Sequence, residues 1–287
     1  MSNSTRRILL VINPQRDQAR KLALEIAAEF LKSGVEVASS DISLIPGSLP
    51  FTNPKEVEVV IVLGGDGTIL RAAELVRGEN VPILGINMGN VGFLAEIITP
   101  TTKQIVEAVL SKKYHGEPRL VIAFEILRAG KSVHKGWALN EVTIERSATQ
   151  MVELFVQIDN RPLSRWGCDG VICATPTGST AYAFSAGGPV LWPEVNAFVL
   201  LPLAAHALFS RPMVVSPDSE IVIDVESEVA EIASDGIRKF DLIAGDRVVL
   251  TRDSSQVHLS HIGEGVFTDR LVAKFKLPVE GWRGDRA

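Results

Sequence analysis

An apolar run rich in β-branched residues ends in three glycines around one aspartate at Val59–Thr68, with the sequence VVIVLGGDGT. The run Val57–Leu63 predicts a buried strand, and Thr68–Arg77 has the apolar spacing of a helix. Glycines at such a junction let backbone amides approach an anion at the helix N-terminus. Asp66 is unusual there, because a carboxylate repels a bound phosphate. Its presence is explained if it acts on a hydroxyl or holds a metal. The alternative interpretation is a tight turn in which Asp66 caps the helix.

The first 118 residues alternate strand and helix patterns. Arg7–Asn13 and Val81–Asn87 are apolar strands, Val35–Ser39 is a short strand, and Asp17–Lys32 carries one apolar helical face. Thr99–Leu110 predicts a further helix with threonine at its start. Near-continuous apolar strands that alternate with helices predict an α/β domain with a parallel sheet over residues 1–118. Its ligand site is expected at the carboxyl ends of the strands.

From residue 119 to residue 265 the chain predicts a β-rich, sandwich-like second domain. Short alternating runs are separated by turn residues such as Asp159-Asn160. The predicted strands are Val121–Leu127, Val133–Ile144, Val152–Ile158, Val171–Ala174, Phe198–Pro202, Ile221–Val225, Glu231–Ser234, Arg247–Thr251 and Val257–Leu259. The tail, residues 266–287, predicts a short amphipathic helix followed by a strand-like segment.

Composition narrows the classes of function. The 287 residues carry a net charge of -5 and are 46% hydrophobic, which fits a globular protein and disfavours nucleic acid as a partner. The longest mainly apolar stretch, Ala197–Phe209, contains a proline and a histidine and is too short to span a membrane. The two cysteines, Cys168 and Cys173, are too few for a disulfide framework. We therefore expect a cytoplasmic protein.

Three further segments combine polar residues in ways that suit a ligand. Gly85–Leu94 is a glycine- and asparagine-rich loop after a strand, where Phe93 offers a ring face. Asn140-Glu141 follows an apolar run, so at least one of the two side chains faces inward. Asp169–Ser185 carries four hydroxyls, at positions 175, 177, 179 and 180, before a helix start, and such a loop suits the phosphates and ribose of a dinucleotide. Ordinary turns and core packing remain the alternative for each segment.

In this order and spacing, three motifs resemble those of bacterial NAD kinases, with an actinobacterial character. They are GGDGT at Gly64–Thr68, Asn140-Glu141, and TPTGSTAY at Thr175–Tyr182. The C-terminal segment FTDRLVAKF, residues 267–275, fits as well. GGDGT alone is shared with lipid kinases of the diacylglycerol and sphingosine type, whereas its combination with TPTGSTAY is far more specific.

The resemblance implies phosphoryl transfer from ATP or inorganic polyphosphate to the 2′-hydroxyl of the adenosine ribose of NAD, giving NADP, with Mg²⁺. It implies Asp66 as general base and a tail that returns to the first domain. The loop expected to hold the donor phosphates is formed by Gly64, Gly65, Gly67 and Thr68. The implied contacts to NAD are Asp66, Gly67, Arg71, Phe93, Asn140, Glu141, Asp169, Thr180, Ala181, Tyr182 and Ser185. No residue is assigned as a metal ligand, and a homodimer or homotetramer is expected.

Two departures from the family pattern concern how the dinucleotide is held. Gly167 stands where some relatives have a basic residue, and Arg165 is a candidate substitute. Ile237 and Arg238 follow the Asp-Gly pair at 235–236, where some relatives have a polar glutamine or arginine. Neither departure changes the expected class of reaction.

Two other functions compete with a NAD kinase. The first is a lipid kinase with the same glycine loop, which the acidic composition disfavours because a membrane-facing enzyme is expected to present a basic patch. The second is a non-catalytic module that senses dinucleotides, and the intact Asp66 argues against it.

Overall fold

The computed structural model describes residues 6–89, 92–96, 99–147, 149–263 and 266–279. It divides into two compact units, residues 1–118 with 257–287, and residues 119–256. The first division falls at the boundary predicted from the sequence. The second division lies at residue 257 rather than 266, because the strand that begins there belongs to the sheet of the first unit.

The described residues form nineteen strands, five α-helices and two short 3-10 turns. The strands are β1 (Arg7–Ile12), β2 (Glu36–Ser39), β3 (Leu49–Pro50), β4 (Val59–Gly64), β5 (Ile83–Asn87), β6 (His115–Arg119), β7 (Ile122–Arg128), β8 (Lys131–Ala138), β9 (Glu141–Arg146), β10 (Val152–Ile158), β11 (Arg161–Cys168), β12 (Gly170–Ala174), β13 (Phe198–Leu203), β14 (Met213–Val215), β15 (Ile221–Val225), β16 (Val229–Ser234), β17 (Arg238–Ile243), β18 (Arg247–Arg252) and β19 (Val257–His261). The helices are α1 (Asp17–Lys32), α2 (Asp66–Leu75), α3 (Thr102–Leu110), α4 (Tyr182–Ser185) and α5 (Phe267–Phe275). The 3-10 turns are Pro54–Glu56 and Gly178–Thr180. Within these residues, no helix combines the length and the apolar composition that crossing a membrane requires.

A seven-stranded sheet in the order β3-β2-β1-β4-β5-β19-β6 forms the centre of the first unit. The strands from β3 to β19 pair in parallel, as the sequence predicted for this unit. Phe30 of α1 and Ile105 of α3 share a core with Ile61 of β4, so these two helices cover one face. Ile69 of α2 lies against Gly85 of β5 on the other face. Every residue of β4 is therefore buried, which explains its continuous apolar sequence.

Two six-stranded antiparallel sheets make up the second unit, in the orders β11-β10-β15-β18-β7-β8 and β14-β13-β12-β9-β16-β17. Side chains of both sheets share one core, in which Trp166 and Phe198 are fully buried. This is the β-rich sandwich that the sequence predicted. The core also takes up the two cysteines, which are buried and unpaired.

The sequence-based assignments need two corrections. Val133–Ile144 was predicted as one strand, but the chain breaks at Leu139-Asn140 into β8 and β9, which belong to different sheets. Val257–Leu259 was assigned to the second domain, but β19 pairs in parallel with β5 of the first unit. In both cases the segment was correctly predicted to be extended, but it was assigned to the wrong sheet. The alternation of apolar and polar residues does not specify the partner strand.

Five strands in the described residues were not predicted, namely β3, β6, β11, β14 and β17. All five lie at the edge of a sheet. An edge strand is covered less completely than a central strand, so its residues need not alternate between apolar and polar. The segment β6, for example, reads HGEPR and has one buried residue.

The C-terminal helix α5 belongs to the first unit. It buries Phe267 and Leu271, each 9% exposed, and Arg270, which is 1% exposed. The strand-like segment predicted after the helix is not formed in residues 276–279, since Lys276 adopts a left-handed conformation and Leu277 is 47% exposed. The rest of the predicted strand-like segment, from residue 280 on, lies outside the described residues.

We expect Phe267→Ala to lower the free energy of unfolding by about 3 kcal/mol, because it leaves a cavity beside a buried aromatic cluster. Urea unfolding followed by circular dichroism measures this change. Val279→Ala, at a position 76% exposed, is the matched control and should change it by less than about 0.5 kcal/mol. Equal unfolding curves for the two variants would contradict a structural role for α5.

Candidate active site

The glycine loop joins β4 to α2 at the carboxyl edge of the parallel sheet. Gly64 ends the strand, and a Cβ atom on it would overlap the side chain of Thr68, so the chain can turn this tightly only with glycine. Thr68 is buried and its backbone N–H donates to the Gly65 carbonyl at 2.8 Å. The first N–H groups of a helix have no partner within the helix, and they begin here at Gly65 and Asp66. This geometry suits a phosphate group at the start of α2.

Asp66 does not cap this helix. Gly65 is the N-cap, and Asp66 is the first helical residue. The carboxylate of Asp66 instead accepts the backbone N–H groups of Phe93 at 3.1 Å and Leu94 at 3.2 Å. A Cβ atom on Gly92 would overlap this carboxylate, so glycine permits the close approach. The alternative interpretation of Asp66 as a helix cap is therefore wrong.

The segment 92–96, after β5, is packed and not open to a ligand. Phe93 is 6% exposed, and its ring lies 6.1 Å from the ring of Phe267 and 5.6 Å from that of Phe275. The expectation that Phe93 presents its ring face to a ligand is thus not met in this structure. What Phe93 contributes to the site is its backbone N–H. The adjoining Asn90 and Val91 lie outside the described residues.

Other residues predicted to bind near the glycine loop lie on its accessible side. Gly67 and Arg71 are exposed, and Arg71 lies about one turn further along α2. Asn87 ends β5, and its side-chain oxygen accepts the Gly89 N–H at 3.1 Å. This hydrogen bond forms an asparagine turn that stabilises the start of the loop after β5. Asn87 therefore has a structural role, as the ordinary-turn interpretation of this segment expected.

In the second unit, Asn140-Glu141 forms a turn and the start of β9. The carboxylate of Asp235 accepts the N–H groups of Leu139 at 3.1 Å and Asn140 at 2.7 Å. The Asn140 carbonyl accepts the Thr175 N–H at 2.8 Å, and the Glu141 carbonyl accepts the Asp235 N–H at 2.9 Å. None of these bonds uses the side chain of Asn140 or Glu141. The backbone is therefore held without the side chain of Asn140, which stays available to a ligand, as does the Oε2 atom of Glu141.

Asp235 was not predicted as a site residue. It forms a hairpin turn with Gly236, at φ 51° and 65°, between β16 and β17. Such Asp-Gly turns are a strong hairpin signal, and this signal in the sequence could have placed Asp235. Arg238 pairs with Asp235 at 2.7 Å and lies 4.3 Å above the Trp137 ring. Arg238, one of the residues at which the chain departs from the family pattern, therefore helps to hold this turn.

Glu141 is the most perturbed carboxyl group of this region. It is 6% exposed, and its Oε2 atom has no hydrogen-bond partner among the described residues. Burial first, and the charge of Asp235 second, raise the pKa of Glu141 to about 7, while the backbone N–H of Tyr182 opposes the shift. A buried acceptor without a partner is costly, so the site favours a ligand that donates a hydrogen bond there.

The loop 175–182 uses its hydroxyls differently from the prediction. Thr175 donates to the Leu139 carbonyl at 2.5 Å, and Ser179 donates to the Pro176 carbonyl at 2.6 Å. Both hydroxyls are fully buried and hold the loop itself. A Cβ atom on Gly178 would overlap the Asn140 carbonyl, so the loop packs directly on the Asn-Glu turn. The expectation that all four hydroxyls serve a ligand is therefore wrong for Thr175 and Ser179.

The remaining predicted residues of this unit surround the turn. Thr180 and Ala181 are partly buried, whereas Tyr182 and Ser185 are exposed on α4. Burial first, then the charges of Glu145, Asp169 and Glu141, raise the pKa of the Tyr182 phenol, which shows that these groups lie in one neighbourhood. The neighbourhood is acidic and suits ligand hydroxyls better than ligand phosphates.

Arg165 does not supply a basic group beside Asp169. It pairs with Glu226 at 2.8 Å and lies 5.0 Å from the centre of the Phe155 ring. Asp169 pairs instead with Arg146 at 3.0 Å. His206 lies exposed in a loop, and its backbone N–H donates to the Gly167 carbonyl.

Two family models match most of the chain. Residues 48–114 match the ATP-NAD kinase N-terminal domain, and residues 139–262 match the ATP-NAD kinase C-terminal domain. The NAD kinase of Thermobifida fusca (strain YX) is 43% identical over 99% of this chain and 93% of its own length. The NAD kinase of Mycobacterium tuberculosis (strain CDC 1551 / Oshkosh) is 42% identical over 97% of this chain and 98% of its own length.

Solved structures agree with this assignment. Yeast NADH kinase complexed with NADH has a TM-score of 0.86 at 23% identity, over 97% of this chain and 89% of that chain, which supports the fold. An NAD kinase from Archaeoglobus fulgidus in complex with ATP has a TM-score of 0.72 at 27% identity, over 95% of this chain and 100% of that chain. The lipid-kinase and non-catalytic alternatives are therefore wrong. The chain belongs to the NAD kinase family and is a phosphotransferase that acts on NAD.

Proposed function

We propose that this enzyme transfers a phosphoryl group from ATP or inorganic polyphosphate to the 2′-hydroxyl of the adenosine ribose of NAD, with Asp66 as general base. The observation that carries the proposal is the position of the Asp66 carboxylate, at a glycine-rich helix start and oriented by two backbone N–H groups. A sugar hydroxyl is a weak nucleophile, and a positioned carboxylate that accepts its proton raises its reactivity.

The chemical step depends mainly on the correct placement of the two substrates and needs few protein groups. The ribose oxygen forms a bond to the terminal phosphorus while the bond from phosphorus to the leaving oxygen breaks. The hydroxyl proton passes to Asp66, and the leaving group is ADP or a polyphosphate shortened by one unit. Backbone amides at the start of α2, at Gly65 and Gly67, hold and neutralise the donor phosphates, while Gly64 and the inward N–H of Thr68 keep the loop tight. Arg71 lies close by on α2.

Mg²⁺ is the cofactor we propose. No group of three His, Cys, Asp or Glu side chains in the described residues could hold a metal by itself. Mg²⁺ commonly keeps several waters and is bound in large part through substrate phosphates, which fits a loop suited to the donor phosphates. When bound, the ion supplies charge neutralisation at the phosphates.

We further propose that the second unit binds NAD through Asn140, Glu141, Asp169, Thr180, Ala181, Tyr182 and Ser185. The buried Oε2 atom of Glu141 offers an acceptor for a ribose hydroxyl. The acidic surroundings of Tyr182 favour the hydroxyl-bearing parts of a dinucleotide over its phosphates. Phe93 takes part through its backbone.

A homodimer or homotetramer in the cytoplasm completes the proposal. Exposed large apolar side chains recur between residues 182 and 209, including Trp192 at 45% and Phe209 at 55% exposure. Such side chains are typical of a surface that pairs with another subunit. Two buried, unpaired cysteines suit a reducing compartment.

We expect Asp66→Asn to reduce kcat by roughly 10²- to 10⁴-fold, because an amide cannot accept the ribose proton. The dissociation constant for NAD, measured by calorimetry, should change little, since the lost group acts in the transition state. Asp17→Asn, at the first residue of α1, is the matched control and should keep wild-type turnover. Near-wild-type turnover in Asp66→Asn would refute the role of general base.

We expect Asn140→Ala to raise the apparent KM for NAD by roughly 10-fold or more and that for ATP by less than about 2-fold. The side chain is absent from the hydrogen bonds that hold the turn, so the melting temperature should stay close to wild type. Initial-rate kinetics with each substrate varied in turn make the test. Equal effects on both KM values would argue against a dinucleotide contact.

We expect the difference in free energy of unfolding between wild type and Glu141→Gln to change with pH, with wild type losing stability relative to the variant as the pH rises from 5 to 8. The folded chain binds the Glu141 proton up to a pKa of about 7, well above the value of an unfolded glutamate, so this contribution is present at low pH and lost through pH 7. The loss should reach about 2 to 3 kcal/mol. Urea unfolding at each pH measures it, and Glu228→Gln, at an exposed position, should show no such trend.

A further inference from the structure

A buried arginine of α5, Arg270, lies close to the proposed catalytic aspartate. It is 1% exposed, its Nη1 donates to the Phe93 carbonyl oxygen at 3.1 Å, and its Nη2 lies 2.9 Å from His261 Nε2. Its Nε has no hydrogen-bond partner among the described residues. Burial lowers the pKa of the Arg270 guanidinium, and the charges of Glu117, Glu96 and Asp66 oppose this shift. Arg270 therefore lies within the electrostatic reach of Asp66 as well as of the glutamates that compensate its charge.

Phe93 connects Arg270 to Asp66 through the backbone of one residue. Its carbonyl oxygen accepts from Arg270, while its N–H donates to Asp66 Oδ2 at 3.1 Å. Its ring is packed against Phe267 and Phe275 of the same helix as Arg270. A shift of the Phe93 backbone would change both hydrogen bonds together. The orientation of the Asp66 carboxylate thus depends on contacts made by α5.

The far end of the segment 92–96 is held by β19 and the residue after it. Glu96 Oε1 accepts the backbone N–H of Ile262 at 2.5 Å and lies 3.8 Å from His261 Nδ1. His261 contacts Arg270 in turn. The segment is therefore fastened at Phe93 by α5 and at Glu96 by β19, and the two attachments meet at His261.

We propose that Arg270 is a positioning residue for phosphoryl transfer, which fixes the Phe93 backbone so that its N–H orients the Asp66 carboxylate toward the ribose hydroxyl. This inference rests on the proposed role of Asp66 as general base. A general base must lie within hydrogen-bond reach of the proton that it accepts, and a displacement of about 1 Å costs roughly 10²-fold in rate. The helix at the C-terminus would then serve the chemistry as well as the fold.

The experiment combines Arg270→Met with Asp66→Asn in a double-mutant cycle in the full-length enzyme, with NADP formation from NAD and ATP-Mg²⁺ as the assay. Methionine keeps an unbranched apolar stem and removes the guanidinium. The matched control is Arg6→Met, because Arg6 also donates to backbone carbonyls of the first unit, those of Val109 and Leu110, and pairs with Glu58. All rates are measured well below the melting temperature of each variant.

We expect Arg270→Met to lower kcat by roughly 10- to 100-fold with KM values for NAD and ATP within about 3-fold of wild type. Added to Asp66→Asn, it should lower kcat no further, because the base that it positions is already gone. Arg6→Met should leave kcat within about 2-fold, whatever its cost in stability.

The outcomes separate the two proposals. If Asp66→Asn lowers kcat but Arg270→Met does not, or if the two losses multiply in the double variant, the positioning role is refuted and the general base stands. If Asp66→Asn retains turnover, the general base is refuted. A loss of kcat in Arg6→Met equal to that in Arg270→Met would reduce Arg270 to a structural residue.

A second measurement does not depend on catalysis and covers the case in which Arg270→Met fails to fold. Arg270→Lys keeps a cation but not the planar group that reaches both Phe93 and His261. Hydrogen exchange followed by mass spectrometry should show faster exchange in peptides covering residues 92–96 of this variant, with α1 peptides unchanged. Unchanged exchange in residues 92–96 would refute the positioning role.

Discussion

The N–H groups of Phe93 and Leu94 hold the carboxylate of Asp66 at the carboxyl edge of the parallel sheet, and the first unit's candidate site depends on this contact. Two N–H donors orient a carboxylate and compensate part of its charge. The start of α2 adds a favourable helix dipole. The same features that would bind a phosphate therefore also support an aspartate. A carboxylate can consequently stand in a loop that is otherwise suited to anions.

The second unit uses the same physical device. There the carboxylate of Asp235 accepts the N–H groups of Leu139 and Asn140, and Arg238 holds Asp235 from the other side. The chain breaks between β8 and β9 at this point, and Glu141 begins the next strand. A carboxylate that accepts two backbone N–H groups thus sets the backbone in each unit. In the first unit the carboxylate is itself the proposed general base, whereas in the second it holds the turn that presents Asn140 and Glu141.

The central strands, the tight glycine turn after β4 and the loops that carry the motifs could be predicted from the sequence, because each leaves a local pattern. The central strands are covered on both faces, so apolar runs mark them. Edge strands such as β6 and β17 carry no such pattern, and they were missed for that reason. The two hydroxyls of Thr175 and Ser179 could not be assigned either. A hydroxyl's partner is a carbonyl brought near by folding, and composition does not reveal it.

By itself, the sequence determined the α/β and β-rich architecture, the glycine-loop aspartate and the family, since these rest on periodicity and on motifs in a fixed order. The tertiary structure alone decided which groups hold the site. Arg270 lies 177 residues from Phe93 along the chain, and Asp235 lies 95 residues from Asn140, yet each pair is joined by a hydrogen bond. Contacts between residues so far apart arise from strand pairing and helix packing, which no local pattern encodes. For this reason the sequence indicated the residues that are proposed to react, and the fold showed the contacts that hold them.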